Sequence, residues 1–212
     1  MKIKGQGKYE NTSGIMCKVL GTAEILESSV ESVDVNGRVD FSRLDVKSFR
    51  VSGNSKGECL KSEAVEVCGN ILVSKLDCGK LKISGNVAVD ELVTKRAKLV
   101  LGGKSRVENI KAETALSISM GDTSGNFSLH LNLPFLKLDV DNLKSSGNIN
   151  EDGYSKIEIG KIFASAVDLD RCKIGELVCS GGTLKDCYVE TLICKNDVNL
   201  LGDCTIVNRK EA

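Results

Sequence analysis

The chain has 212 residues, with 29 Lys and Arg against 29 Asp and Glu, so its formal net charge is zero and nothing in it calls for nucleic acid, which requires a basic face. No stretch approaches eighteen consecutive apolar residues, which excludes a membrane-spanning helix as the reading of any segment. Aromatic residues are 4% and tryptophan is absent, so any core is filled by Val, Ile, Leu, Ala and Cys.

The chain starts MKIKGQGKYE, without the apolar run of a secretory signal, and a cytoplasmic location is expected. In such a reducing compartment the nine cysteines, an odd number, read as free thiols. From the start, one glycine recurs every sixteen residues: Gly5, Gly21, Gly37, Gly53, Gly69 and Gly85 fall in a single column. Two places earlier stand Val19, Val35, Val51, Val67 and Ile83, and a second apolar column holds Leu44, Leu60, Leu76 and Leu92. Such self-similarity is the mark of a repeat protein, and a period of sixteen is too short for the common helical repeats.

Within each block apolar and polar residues alternate, as in Val87 and Val89 after Gly85, which places every second side chain on one face of a strand. If one block is one turn of a coil, each strand pairs in parallel with its copy in the next turn, about 4.8 Å away, and the apolar columns become ladders inside a narrow tube. The fold class expected is therefore all-β, a single-stranded parallel β-helix of about fifteen to seventeen residues per coil, with the glycine at a corner that demands positive φ or a missing Cβ. The asparagines that follow it, Asn54, Asn70 and Asn86, are the other residues that tolerate tight corners.

Past Gly85 the register loosens. The stretch from Leu101, LGGKSRVENIK, contains the Gly-Lys-Ser tail of a phosphate-binding loop, but the glycine four residues before Gly103 is absent, so nucleotide binding is not expected. The following segment fits neither period. It carries turn-rich patches at Gly121 and Ser145, alternating runs over Phe127 to Leu133 and Leu136 to Val140, and the one proline, Pro134; it reads as longer strands, a hairpin carried on the coil, or a seam between subdomains. The one histidine, His130, alternates with Leu129 and Leu131 and so reads as a structural residue on the polar face rather than a general base.

Coils resume with a shorter step. At a spacing of fifteen, Ile157, Cys172 and Cys187 form a column, as do Ile159, Ile174 and Val189, then Ile162, Leu177 and Leu192, then Ala164, Cys179 and Cys194. Cysteine there exchanges with Ile and Ala, as a small buried hydrophobe does, and without any C-x-x-C pair a metal site is not expected. The organisation read from the chain is regular coils over 1–114, an irregular insert over 115–155, further coils over 156–207 and a charged tail over 208–212.

The repeated V-x-V-S-G-N with a Leu- and Val-rich return strand resembles the bactofilins, bacterial polymer-forming cytoskeletal proteins, over Lys2 to about Lys111. The resemblance implies a right-handed, three-sided β-helix that polymerises end to end without nucleotide and serves as a scaffold, with no cofactor and no catalytic site. It departs from the family in having one proline and no apolar segment at its start, which sets aside membrane association. Winding closes the sides of such a coil but leaves unpaired N–H and C=O groups at each end, so the assembly residues expected are Ile3 and Ile15 at one end and Ile206 at the other. The partner expected is a second copy of the chain, with other scaffold or cell-envelope proteins as further candidates. Two rival readings stay open: a non-polymeric β-helical interaction module, and a β-helix acyltransferase, whose hexapeptide rule the periods of sixteen and fifteen do not meet.

Overall fold

Each turn of this chain lies on the turn before it. The computed structural model describes residues 2–10, 13–102, 105–121 and 157–211. They form nine β elements: β1 (Lys2–Glu10), β2 (Ser13–Leu26), β3 (Ser28–Leu101), β4 (Arg106–Met120), β5 (Ile157–Asp170), β6 (Cys172–Lys185), β7 (Tyr188–Cys194), β8 (Val198–Leu201) and β9 (Thr205–Glu211). Every pairing between them is parallel, in the order β1-β2-β3-β4-β5-β6-β7-β9, with β8 on β6. β3 alone runs for 74 residues, which at sixteen per turn winds it more than four times. The whole is a parallel β-helix of about ten turns.

The register is the repeat read in the sequence. Gly5 pairs with Gly21 and Ile3 with Val19, then Gly21 with Gly37 and Val19 with Val35, all sixteen apart. Within a turn the buried side chains come in three pairs, for example Leu81 and Ile83, Val87 and Val89, Leu92 and Thr94, so the tube has three faces. Two adjacent outward residues mark a corner, as at Asp90–Glu91 and Lys95–Arg96, because two successive residues can both leave the core only where the chain bends. Bulk is exchanged along a column: Phe41 fills the space where the next turn has Gly57, and it packs edge-on against Phe49 with ring centres 5.7 Å apart.

The glycine column does what the corner requires. Gly21, Gly37, Gly53, Gly69 and Gly85 have φ between 121° and 139°, and a Cβ on Gly53 would run into the carbonyl oxygen of Gly37 one turn below. The asparagines act differently from the expectation. Among the described residues left-handed backbone outside glycine falls to Glu27, Arg171 and Asp186, whereas Asn54, Asn70 and Asn86 form an amide ladder. Asn86 Nδ2 donates to Asn70 Oδ1 at 2.9 Å, and Asn70 Nδ2 to Asn54 Oδ1 at 2.8 Å.

The two periodic arrays are one coil. β4 pairs with β5 directly, Arg106 with Glu158 and Ile110 with Ile162, so the chain leaves after Gly121 and returns at Ile157 to the same turn. A single buried core runs from Cys17 to Cys194 across that junction, and a seam between subdomains is not found. Two further boundaries differ from the sequence reading. Ala115 to Met120 belong to the coil, paired with Arg96 to Leu101, because a register shift after Thr94 absorbs the extra residues that hid the period. Asn208 to Glu211 are strand rather than tail, paired with Thr191 to Cys194. The alternating runs of the insert, with His130 and Pro134, lie outside the described residues.

Replacing Gly53 by alanine sets a Cβ against backbone at a φ that side chains avoid, and should destabilise the fold by about 1–3 kcal/mol. Urea unfolding followed by far-ultraviolet circular dichroism checks this, with Gly14→Ala, where the added Cβ meets nothing within 4 Å, as the comparison that stays close to the parent.

Candidate functional site

A coil whose sides are closed has two places left for backbone pairing, its first turn and its last. β1 pairs with β2 on one edge, and among the described residues its other edge has no partner. Ile3 sits on that strand in the column of Val19, Val35, Val51, Val67 and Ile83, an inward column in the turns above. Ile15 lies on β2 between Gly14, which pairs with Val30, and Met16, which pairs with Ser32. The side chains of Ile3 and Ile15 are outside the described residues. Lys8, Glu10 and Glu24 flank this edge; the Glu10 carboxylate, 3.1 Å from Lys8 Nζ, accepts its hydrogen bond and holds the lysine pKa above its usual value.

The last turn is made of β8 and β9. Ile206 pairs with Val189 and is half-buried against the core, as an end residue of an apolar column should be. Beside it Leu200, Leu201 and Val207 are 44%, 45% and 56% exposed. Leu200 occupies the column of the buried Leu184 and Leu169, so its exposure comes from the absence of a further turn above it. This end is also charged in a way the sequence reading missed. Arg209 stands on Leu192 and Glu211 on Cys194, two columns that are buried in the turns below. Charges at inward positions of a terminal strand blunt it against indiscriminate pairing. Arg209 turns aside to Asp197, its guanidinium 2.9 Å from Oδ1. The signal was available, since aligning Tyr188 with Thr205 at a step of seventeen sets both charges under apolar residues.

Six of the nine cysteines line the interior, whereas Cys59 and Cys204 are half-buried and Cys68 is exposed. Cys172 and Cys187 share a column with Ile157, and Cys179 and Cys194 share one with Ala164; all four are at most 5% exposed. All nine are free thiols, and among the described residues no group of three or more His, Cys, Asp or Glu is placed to hold a metal. Cys179 Sγ and Cys194 Sγ are 3.5 Å apart, and Cys194 donates to the Asn196 carbonyl at 2.7 Å. Burial, then the hydrogen bond with Cys194, pushes the Cys179 thiol up to about 12, and burial pushes Cys78 up to about 11 despite its contact with Thr94. These thiols are held protonated, the opposite of a nucleophile or a metal ligand.

Of the Gly-Lys-Ser stretch, Gly103 and Lys104 are outside the described residues; Ser105 is buried and its Oγ accepts the Val87 N–H at 3.1 Å. That hydroxyl closes a corner. Comparison of the chain with protein-family models, curated proteins and solved structures finds no match.

The raised thiols imply an alkaline limit. Their folded pKa values lie above the 9.0 of an unfolded cysteine, so above about pH 9 the unfolded chain loses protons that the folded one keeps, and stability falls as pH rises toward 11–12. The melting temperature should therefore drop between pH 8.5 and 10.5, and drop less steeply in Cys179→Ala; equal slopes in the two proteins would show that the thiols do not drive the loss.

Proposed function

We propose that this protein is a structural scaffold of the bactofilin kind, which assembles end to end by stacking the terminal turns of its β-helix, without nucleotide and without catalysis. The observation that supports the reading most is the pair of open ends on one continuous coil: among the described residues, a β1 edge without a partner, with Ile3 in a core column, and a last turn that leaves Leu200 exposed in the column of the buried Leu184. Stacking a second copy on either end would pair an open strand edge and bury apolar area at about 25 cal/mol per Å². The charges at the C-terminal end are self-complementary. In an antiparallel contact between two copies centred on Lys210, Arg209 of one exchanges its exposed Asp197 partner for Glu211 of the other, giving two opposite-charge pairs against the single Lys210–Lys210 juxtaposition, which favours a tail-to-tail partner over an arbitrary strand.

The rest of the reading follows from this arrangement. Among the described residues the tube is filled mainly by aliphatic side chains and cysteines, a core that suits a scaffold. The cytoplasm, where nine thiols stay reduced, is the compartment that suits the chain.

Purified protein without nucleotide should form filaments or concentration-dependent ladders in negative-stain electron microscopy and sedimentation. Ile3→Lys should shorten these assemblies with the β-type circular dichroism retained, and Arg209→Glu should do the same by setting like charges against each other. A sharp monomer at every concentration for the parent chain overturns the proposal.

A further inference from the structure

The side of the coil carries a second feature, unrelated to its ends. Along the corner where the third face turns into the first, a groove of about 490 Å³ runs from Ser48–Arg50 through the turns above to Ala166–Asp168. Its corner column carries small residues at both ends, Ser48 and Ala64 on the lower turns and Ala115 and Ala166 on the upper ones, with Lys80 and Arg96 on the two turns between them, and the buried Val65, Leu81 and Leu116 lie beneath. The corner crosses six turns, five steps of about 4.8 Å, so the groove is about 24 Å long, the reach of about seven residues of extended chain.

Its charge is unlike that of the whole molecule. Five cationic and two acidic side chains line it in a chain of zero net charge. Arg50 and Lys82 are both spent on Glu66, at 3.6 Å and 2.9 Å. The other three, Lys80, Arg96 and Lys98, are exposed and, among the described residues, have no carboxylate partner. Elsewhere on this surface cations and carboxylates one turn apart pair routinely, as Lys47 does with Glu31 and Lys75 with Glu91, so three neighbouring cations left over is a departure from the pattern. Lys95 adds a fourth on the adjoining side of the same corner, also without a partner among the described residues.

We infer that this groove is a docking site for an acidic, extended peptide segment of another protein, lying along the coil axis with carboxylates toward Lys80, Arg96 and Lys98 and small side chains toward the alanine floor. Charge complementarity selects an anion, and the shape selects which kind. A groove of about 490 Å³ drawn out over about 24 Å has room for one extended chain and not for a duplex or a bilayer surface. Single-stranded nucleic acid would need rings to stack its bases, and the only aromatic residue in the lining, Phe49, is fully buried. Closed sides deny the peptide any strand pairing, so recognition is by side chains and falls with salt. The site lies away from both ends, so its occupancy does not rest on self-assembly.

The probe is a fluorescent ten-residue peptide of alternating Glu and Ala, titrated with the full-length protein at low salt and followed by anisotropy, beside an alternating Lys and Ala peptide, an oligothymidylate and phosphatidylserine vesicles. The expected result is saturable binding of the Glu peptide alone. The triple substitution Lys80→Glu, Arg96→Glu, Lys98→Glu should weaken it about tenfold or more. Ala115→Leu, which leaves the charge unchanged and narrows the floor, should also weaken it; both variants are at exposed positions and their folding is checked by circular dichroism. If the triple variant fails to fold, the corresponding glutamine substitutions give the same test. Absence of binding, binding that neither variant alters, or equal binding of the Lys peptide overturns the inference, and groove-dependent binding of the oligonucleotide or the vesicles overturns the choice of a peptide.

Discussion

Parallel pairing of each turn with the one below it, in unbroken register, is the constraint on which everything else in this molecule rests. It demands that equivalent positions in successive turns be compatible with one another rather than with distant parts of the chain. The glycine column is the strictest case, since five successive turns hold φ between 121° and 139° and, from Gly37 to Gly85, the carbonyl of the turn below leaves no room for a Cβ. The same demand explains Phe41 beside Gly57, the amide ladder from Asn54 to Asn86, and the cysteines stacked on Ile157 and Ala164 in the later turns. Energy in such a solenoid is a sum over neighbouring turns, so a defect is felt locally and the ends are always one neighbour short.

That shortage is what the proposed end-to-end assembly would relieve. Among the described residues the missing neighbour leaves an open backbone edge on β1 at the N-terminal end, and at the C-terminal end it leaves Leu200 exposed in the column of the buried Leu184. The C-terminal turn places Arg209 and Glu211 in columns that are otherwise apolar, which blunts its edge against indiscriminate pairing. On the sides, winding removes the edges altogether, and what remains for recognition is the pattern of outward columns. Several of those columns neutralise themselves through exposed pairs such as Lys18 with Asp34 and Lys82 with Glu66, which add little to stability. The corner bearing Lys80 and Arg96 does not.

Much of this was legible in the chain because a β-helix writes its register directly into spacing. Gly21 over Gly5, Val35 over Val19 and Cys187 over Cys172 are contacts that could be read from identity or chemical likeness at a fixed interval. Legibility failed where the interval changed. The turn from Arg106 to Ala115 carries extra residues at a corner, so Ala115 to Met120 lost their columns, and the segment between Gly121 and Ile157 could not be recognised as an excursion from a single turn. Closing a longer loop costs only slowly more free energy, so its length says nothing about where its ends lie.

The repeat, the parallel coil, the corner glycines and the burial of the cysteines were determined by the sequence alone, since each depends on residues a constant step apart and on the sterics of one residue against its copy. Tertiary structure alone decided that the two arrays form one tube, that Asn208 to Glu211 continue the last strand, and that Lys80, Arg96 and Lys98 converge on a groove floored by alanines. Those outcomes depend on how turns of unequal length are set in register about a common axis. Distances between side chains on different turns follow from that register, and a linear pattern with a changing step does not contain it.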